Sequence, residues 1–553
     1  MSRTQDLNTA DLKAAQPNAA GKAIAAFALT ALAVGAVWWW LGTPVQLPPS
    51  PLAAGQKLYC VSYAPFRGSQ DPLVEGTRVP PEQIEDDIAL LAKYTDCVRT
   101  YSVDDGLDYV LQSARRHGLK VLHGVWVSGD PEKTRRQVAT SVAYAKAYPD
   151  VIKAIVVGNE VLLRGEMTAA NLIAVIREIK AQVPMPVTYA DVWEFWLRYP
   201  DAQNAVDFVT IHVLPYWEDF PIPASRAAAH LAAIRAQVAA AFPNKEIVIG
   251  EFGWPSAGRM REDARPSRSN QARAVIDTLA LAQRENIKVN IIEAFDQPWK
   301  RALEGAVGGY WGVIDRETGA PKFSFGGGAV SDHPDWQAQA LAGIFLAALS
   351  FGGAFAAGRG RGFAPYLWVK IGVLVAASAI LIGWALETVP VESFGPGSWL
   401  RSMAFAATAA VAPIVCAAAC AAGRPAPAFA LLLGRTGKHH DALEWALGGT
   451  RIALMLVAME AALGLVFDPR YRDIPFAPLT AAVVPFLVLL LTTKRPAGSW
   501  AVADTTAAVA LALSAVYVVF NEKFSNWQSV WFCAGLIGLA VILAMARDAP
   551  SSK

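Results

Sequence analysis

Ile152-Lys153-Ala154-Ile155-Val156-Val157-Gly158-Asn159-Glu160 begins as an apolar run and ends in a carboxylate. A run without polar alternation fits a strand buried on both faces, as in a parallel sheet covered by helices. Similar β-branched runs occupy residues 57–63, 97–101, 119–127, 186–190, 206–213, 246–252 and 289–295, which makes eight with 152–159. Helical patterns lie between them, at 83–94, 107–117, 134–147, 169–182, 226–241 and 270–286. Eight strand–helix units in roughly 250 residues predict an α/β fold, a closed (β/α)₈ TIM barrel. A doubly wound open sheet is the alternative. The strand count and the lack of a Gly-rich phosphate loop after the first strand weigh against it.

Outside the barrel the composition changes. Of 553 residues, 54% are apolar and only 17% are charged, against about a quarter charged in soluble chains. Residues 23–41 form a run of bilayer-spanning length, preceded by Lys22 and closed by Trp38, Trp39 and Trp40, as an interfacial aromatic belt would close it. The run is long for a signal peptide and no small-residue cleavage site follows it, so an uncleaved anchor is predicted. Further apolar runs fall at 338–357, 367–386, 403–421, 446–467, 476–491, 502–520 and 530–545; the run 429–433 is too short to cross.

The predicted organisation is a cytoplasmic N-terminus (1–22), a transmembrane anchor (23–43), a linker (44–56), a barrel domain (57–325), an all-α membrane domain with about seven spans (338–546) and a cytoplasmic tail (547–553). With the N-terminus inside, the inner loops carry Arg359 and Arg361, then Arg424, Arg435 and Lys438, then Lys494 and Arg495, then Arg547. The outer loops hold Glu387 and Glu392, residues 468–473 with acids balancing Arg470 and Arg472, and Glu522 with Lys523. The basic excess lies on one side throughout. It predicts a multi-pass inner-membrane protein with its barrel on the extracytoplasmic side and the lipid bilayer as a partner.

The net charge of +2, with Lys and Arg dispersed, excludes a nucleic-acid partner. Cys416, Cys420 and Cys533 lie in apolar stretches and read as inert buried thiols. Cys60 and Cys97 fall on neighbouring predicted strands. A disulfide can form between them in an oxidising compartment, but two small buried thiols is the preferred reading.

Barrel enzymes place their chemistry at the C-terminal ends of strands. Strand four ends in Glu160. Strand seven carries Glu251 within Ile249-Gly250-Glu251-Phe252-Gly253-Trp254-Pro255. Either Glu alone reads as half of a structural ion pair. Together, on facing strands, they can flank one glycosidic bond as acid/base and nucleophile. No metal or cofactor is expected. His439 and His440 lack a Cys or acid at ligand spacing, and His123 reads as a core histidine.

Several elements, in order, resemble glycoside hydrolase family 17, the β-1,3-glucanase and glucanosyltransferase family. They are Val61-Ser62-Tyr63, Val98-Arg99-Thr100-Tyr101, Gly158-Asn159-Glu160-Val161, His212-Val213-Leu214-Pro215-Tyr216, Glu251-Phe252-Gly253-Trp254-Pro255-Ser256 and Trp311-Gly312-Val313. The resemblance implies that Glu160 is the acid/base, with a pKa held up, and Glu251 the nucleophile. It also implies that Asn159 binds a sugar 2-hydroxyl and that Tyr216 orients Glu251. Tyr63, Arg99, Tyr101 and Trp254 would contact sugar, with Trp254 able to stack on a ring. Asp191 and Trp193 after strand five join the same list; Trp126, Trp196 and Trp217 are weaker candidates. Plant members carry Phe-x-Glu-x-x-Lys after strand eight. Here Lys300 is retained, while Gln297 stands where the acid is expected. His212 and Leu214 replace the usual Asn and Tyr. These positions are read as cleft residues that set linkage and acceptor.

Among the apolar spans, Lys370, Glu460 and Asp504 are ionisable. Such groups are functional suspects. Lys370 and Asp504 lie near predicted ends, and Glu460 lies deepest, too far along its helix from Arg451 to pair with it. A packed anchor bundle is the preferred reading. A membrane-tethered, bacterial-type glucan-remodelling transglycosylase, working with a separate glucan synthase, is the functional expectation. An endo-glucanase and a non-catalytic glucan-binding export or sensor component are the alternatives.

Overall fold

The computed structural model describes residues 9–53, 55–359, 366–429, 432, 441–493 and 498–547, with side chains from residue 20. Arg361, Arg435, Lys438, His439, His440, Lys494 and Arg495 lie outside the described residues. Two compact units form, one from residues 44–332 and the other from residues 1–43 with 333–553.

The first unit is the predicted barrel. Its strands are Cys60–Ser62, Cys97–Arg99, Lys120–Val125, Ile152–Asn159, Val187–Val192, Val209–His212, Ile247–Phe252 and Val289–Ile291, all parallel and closed in sequence order. The first strand closes the cylinder on the eighth through Cys60–Asn290 and Val61–Ile291. Apolar positions on strands and helices form one buried core, as the unbroken apolar runs require. Helix starts are fixed locally: Asp130, Thr168 and Ser267 each accept backbone N–H bonds in the first turn of the following helix. After strand five the crossover is only the short helix Trp193–Arg198 and a 3₁₀ turn, and after strand eight only the short turns Pro298–Lys300, Arg301–Glu304 and Ala306–Gly309.

Two expectations change here. Part of the segment read as a linker is ordered: Val45–Gln46 pairs antiparallel with Ala329–Val330, and Leu47 is buried. Cys60 and Cys97 form a disulfide, with Cα atoms 4.3 Å apart. The two residues sit at the starts of adjacent strands and share an interior cluster with Leu122, Ala154, Val156 and Ala190. The thiol reading failed because strand register, which brings the two sulfurs together, is not visible in the spacing of the cysteines.

The second unit is all helix. Among the described residues, seven helices are long and apolar enough to cross a bilayer: Ala20–Leu41, Trp336–Ala357, Leu367–Glu392, Pro396–Ala422, Ala442–Phe467, Val502–Glu522 and Trp527–Ala544. Phe476–Thr492 is apolar and shorter, at 17 residues. Small residues allow close packing: a Cβ on Gly343 would lie 2.0 Å from the Ala379 carbonyl oxygen.

Two suspects exchange places. Asp504 does not reach the surface. It is buried against Arg451 (2.7 Å) on another helix and also accepts the Phe429 N–H. Glu460 is half-exposed, with Arg472 3.4 Å away. Distance along one helix could not show pairing between helices. Lys370, near the start of its helix, lies over the Tyr366 ring.

Two outcomes follow. Denatured, unreduced protein alkylates at three cysteines, and at five after reduction; five without reduction would exclude the disulfide. Asp504→Asn strands a buried guanidinium and destabilises the helical unit by about 3–5 kcal/mol, read as a lowered melting temperature in detergent.

Candidate active site

Neighbouring residues on a strand normally face opposite sides. Strand four breaks that rule at its end. Val156 pairs with Thr188, but the next partners are Asn159 and Ala190, so strand four carries one extra residue. Gly158 (φ 84°) and Glu160 (φ 55°) both adopt left-handed backbone there. For Glu160 this is an uncommon, strained conformation of the kind that clusters at functional sites. The bulge turns both Asn159 and Glu160 into the barrel mouth. Strand seven does the same: Ile211 pairs with Ile249 and His212 with Glu251, leaving Gly250 as the extra residue.

Arg99, at the end of strand two and 1% exposed, lies at the centre. Its Nη1 lies 2.7 Å from the Gly250 carbonyl oxygen, 3.0 Å from Glu251 Oε1 and 3.2 Å from His212 Nε2. Its Nη2 donates to Asn159 Oδ1 at 2.6 Å. Tyr101, two residues on and therefore on the same face, donates to Glu251 Oε1 at 2.8 Å. Burial and the Glu251 charge hold the Tyr101 phenol well above its usual range, so it remains a donor. His212 Nδ1 lies 2.8 Å from Glu160 Oε1. Donor atoms of Glu160, His212 and Glu251 all fall within 4.8 Å of one another. Three such donors could hold a cation, but the Arg99 guanidinium already supplies positive charge at that point.

Burial raises the Glu160 pKa, but the His212 hydrogen bond, with the Arg164 and Arg99 charges, outweighs it and leaves the pKa below the usual value. The expectation of a raised pKa does not hold in the free site.

Other predicted residues are placed differently. Trp254 is fully buried and its Nε1 donates to the Arg265 carbonyl, so its ring faces are not open to a sugar. The single hydroxyl proton of Tyr216 goes to the Arg259 carbonyl (2.8 Å); Tyr101 takes the place expected of it at Glu251. Tyr63 is buried and donates to Asp87, which also binds Arg67 and Arg316. Asp191 is buried beside Tyr189 and accepts the Leu163 and Val192 amides, so it braces the loop after Glu160; burial lifts its pKa to about 6. Trp193 is half-buried, with Nε1 donating to Glu218. Gln297 is buried and fully bonded to Ala64, Phe295 and Trp299, so it does not line the cleft. His212 is fully buried too and is not an open cleft surface. Trp126 lies under the Arg164 guanidinium, and Trp196 is buried. His123 is buried beside Ser141 as expected, its pKa lowered to about 4 by burial.

The acid missing at position 297 is supplied by Glu293. It takes both oxygens to Lys300 Nζ, at 3.0 and 2.9 Å, and burial lifts its pKa to about 7 against the Lys300 charge. Glu304 lies near enough to Glu160, Glu251 and Lys300 to feel all three charges. Glu293 lies inside the run read as 289–295, and only the strand end at Ile291 places it at the barrel rim.

This barrel gathers carboxylates at its C-terminal rim, as glycoside hydrolase domains built on barrels do. Residues 60–312 match the BtgE/BtgC glycoside hydrolase domain. The chain is 29% identical over 266 residues to the "Probable beta-glucosidase btgE" of Aspergillus flavus, covering 46% of this chain and 42% of that protein. It is 27% identical to the "Glucan 1,3-beta-glucosidase BGL2" of Candida albicans, covering 43% of this chain and 85% of that one. The chain thus spans about two fifths of the length of the first curated relatives it matches. Among solved structures, the family 17 β-1,3-glucanosyltransferase of Rhizomucor miehei is 26% identical, covering 49% of this chain and 97% of that chain, with a TM-score of 0.43.

A Cβ added at Gly250 would lie 2.5 Å from Thr210 Cγ2 and 3.0 Å from His212 Cδ2. Gly250→Ala therefore displaces the His212 side of the site and lowers kcat/KM about 100-fold with little change in circular dichroism. Unchanged activity would mean that this packing does not set the site geometry.

Proposed function

We propose that this chain is a membrane-anchored retaining enzyme acting on β-1,3-glucan, with Glu251 as nucleophile and Glu160 as acid/base. The observation that carries it is the approach of the two carboxylates, with oxygens within 4.8 Å of one another. Retaining glycosidases hold the two groups about 5–5.5 Å apart, and inverting ones about 6.5–9.5 Å to admit a water. Arg99 and Tyr101 both direct hydrogens at Glu251 Oε1, which holds that carboxylate in place for attack.

In the reaction, Glu251 attacks the anomeric carbon while Glu160 protonates the departing oxygen. A sugar seated between them excludes water and lies beside ionised Glu251; both effects raise the Glu160 pKa and load the proton. Once Glu251 is esterified its charge is gone. The Glu160 pKa falls, and Glu160 becomes the base for an incoming hydroxyl. Asn159, held by Arg99, faces the same mouth and is assigned to the sugar 2-hydroxyl.

If the incoming hydroxyl is a sugar's, the product is a longer or branched glucan; if it is water's, the enzyme is an endo-glucanase. Anchoring at a membrane suits transfer better than scavenging. The apolar helices are assigned to the inner membrane with the barrel outside, on the basic excess at Arg359, Arg424 and Arg547, and a glucan synthase is a suitable source of donor.

Full-length protein in detergent, given laminari-oligosaccharides, forms β-configured products by NMR and longer oligosaccharides by mass spectrometry at high donor concentration. Glu160→Gln lowers kcat/KM by about 10²–10⁴-fold. Inverted products would rule out the two-carboxylate mechanism, and shortened chains alone would mark a hydrolase.

A further inference from the structure

His212 was expected to face the cleft as a replacement for Asn. It is 0% exposed, so it can act on a sugar only through its neighbours. Its ring lies between two of them, Arg99 Nη1 at 3.2 Å from Nε2 and Glu160 Oε1 at 2.8 Å from Nδ1. An arginine guanidinium has only donors. A hydrogen on Nε2 would point at those donors, so Nε2 presents its lone pair. The single proton of a neutral imidazole is then on Nδ1, aimed at Glu160 Oε1. The backbone permits this placement because Gly250 has no side chain to collide with the ring.

We propose that His212 is the positioning residue of the acid/base: its Nδ1–H occupies Glu160 Oε1 and so leaves the transferable proton to Oε2. The assignment rests on the retaining reading given above and specifies which oxygen of Glu160 serves the leaving group. In the first step the Oε2 proton moves to the departing glycosidic oxygen as the Glu251–carbon bond forms and the carbon–oxygen bond breaks. In the second, Oε2 takes the proton of the incoming hydroxyl as its oxygen bonds the anomeric carbon and the Glu251–carbon bond breaks, and Oε1 stays bound to His212 throughout. The other charged groups around the pair are Arg99 on strand two, Arg164 in the loop after strand four, Asp191 on strand five, Glu251 on strand seven and Glu304 after strand eight. Of these, His212 makes the direct hydrogen bond that holds the Glu160 pKa down against burial. Its removal moves that pKa upward.

A purely structural histidine, satisfied by two neighbours, predicts a different outcome from leaving-group chemistry. Full-length wild type, His212→Leu and His212→Asn are compared in detergent on two donors, a laminari-oligosaccharide and a β-laminaribiosyl fluoride. The fluoride departs without protonation; the sugar does not. His212→Leu lowers kcat/KM on the oligosaccharide about 100-fold, leaves the fluoride within about threefold, and moves the basic limb of the oligosaccharide pH profile upward. His212→Asn can offer an N–H to Glu160 and an oxygen to Arg99, and it recovers much of the loss. Equal loss on both donors, or an unmoved basic limb, overturns the assignment. If the Leu variant does not fold, the Asn variant decides: equal loss on both donors there has the same consequence. Glu251→Gln assayed on the fluoride is the control; if it stays active, the two-carboxylate reading fails independently of His212.

Discussion

The buried guanidinium of Arg99 is the charge around which the barrel mouth is built. A cation taken out of water is costly unless it is paired and hydrogen-bonded. Arg99 meets that condition with Glu251, Asn159 and the Gly250 carbonyl, while His212 Nε2 closes the fourth side. Those partners come from strands four, six and seven, and Arg99 itself from strand two. One side chain thus fixes the relative height of four strand ends. The same contacts set the chemistry: Glu251 is held beside a cation, and the imidazole proton is directed toward Glu160. Loss of either member of the Arg99–Glu251 pair would leave an uncompensated buried charge, a penalty of about 3–5 kcal/mol.

The bulges in strands four and seven are the second requirement. A regular strand would send Asn159 and Glu160 to opposite faces. The extra residue in each strand, with Gly158 and Gly250 absorbing the geometry, brings Asn159, Glu160 and Glu251 into one mouth. The glycines of these motifs therefore have steric reasons. At Gly253, beyond Glu251, a Cβ would stand 2.1 Å from the Ile292 carbonyl oxygen.

The barrel was legible in the sequence because its strands are unbroken apolar runs, and the run at Ile152–Asn159 was placed to the residue. The two glutamates were legible only as a pair, because two carboxylates at the ends of facing strands can flank one bond. What could not be read was burial. Trp254 and Gln297 stand where a cleft residue would, yet both are enclosed by elements distant in sequence. Tyr101 rather than Tyr216 meets Glu251 because hydroxyl direction depends on strand register. Glu293 was hidden because the apolar residues Ala294 and Phe295 after it extend the run beyond the true strand end at Ile291. In the helical unit, Asp504 and Arg451 are 53 residues apart and become partners only when their helices pack.

The account stands on Glu251 forming a covalent bond to sugar while Glu160 serves the leaving oxygen. Its most direct measurement is mass spectrometry of peptides from full-length protein incubated with a 2-deoxy-2-fluoro-β-laminaribiosyl fluoride, whose slowed second step accumulates the intermediate. The predicted result is one fluoroglycosyl adduct on the peptide that contains Glu251. An adduct on another residue, or turnover of the donor with inversion and no adduct, would contradict it.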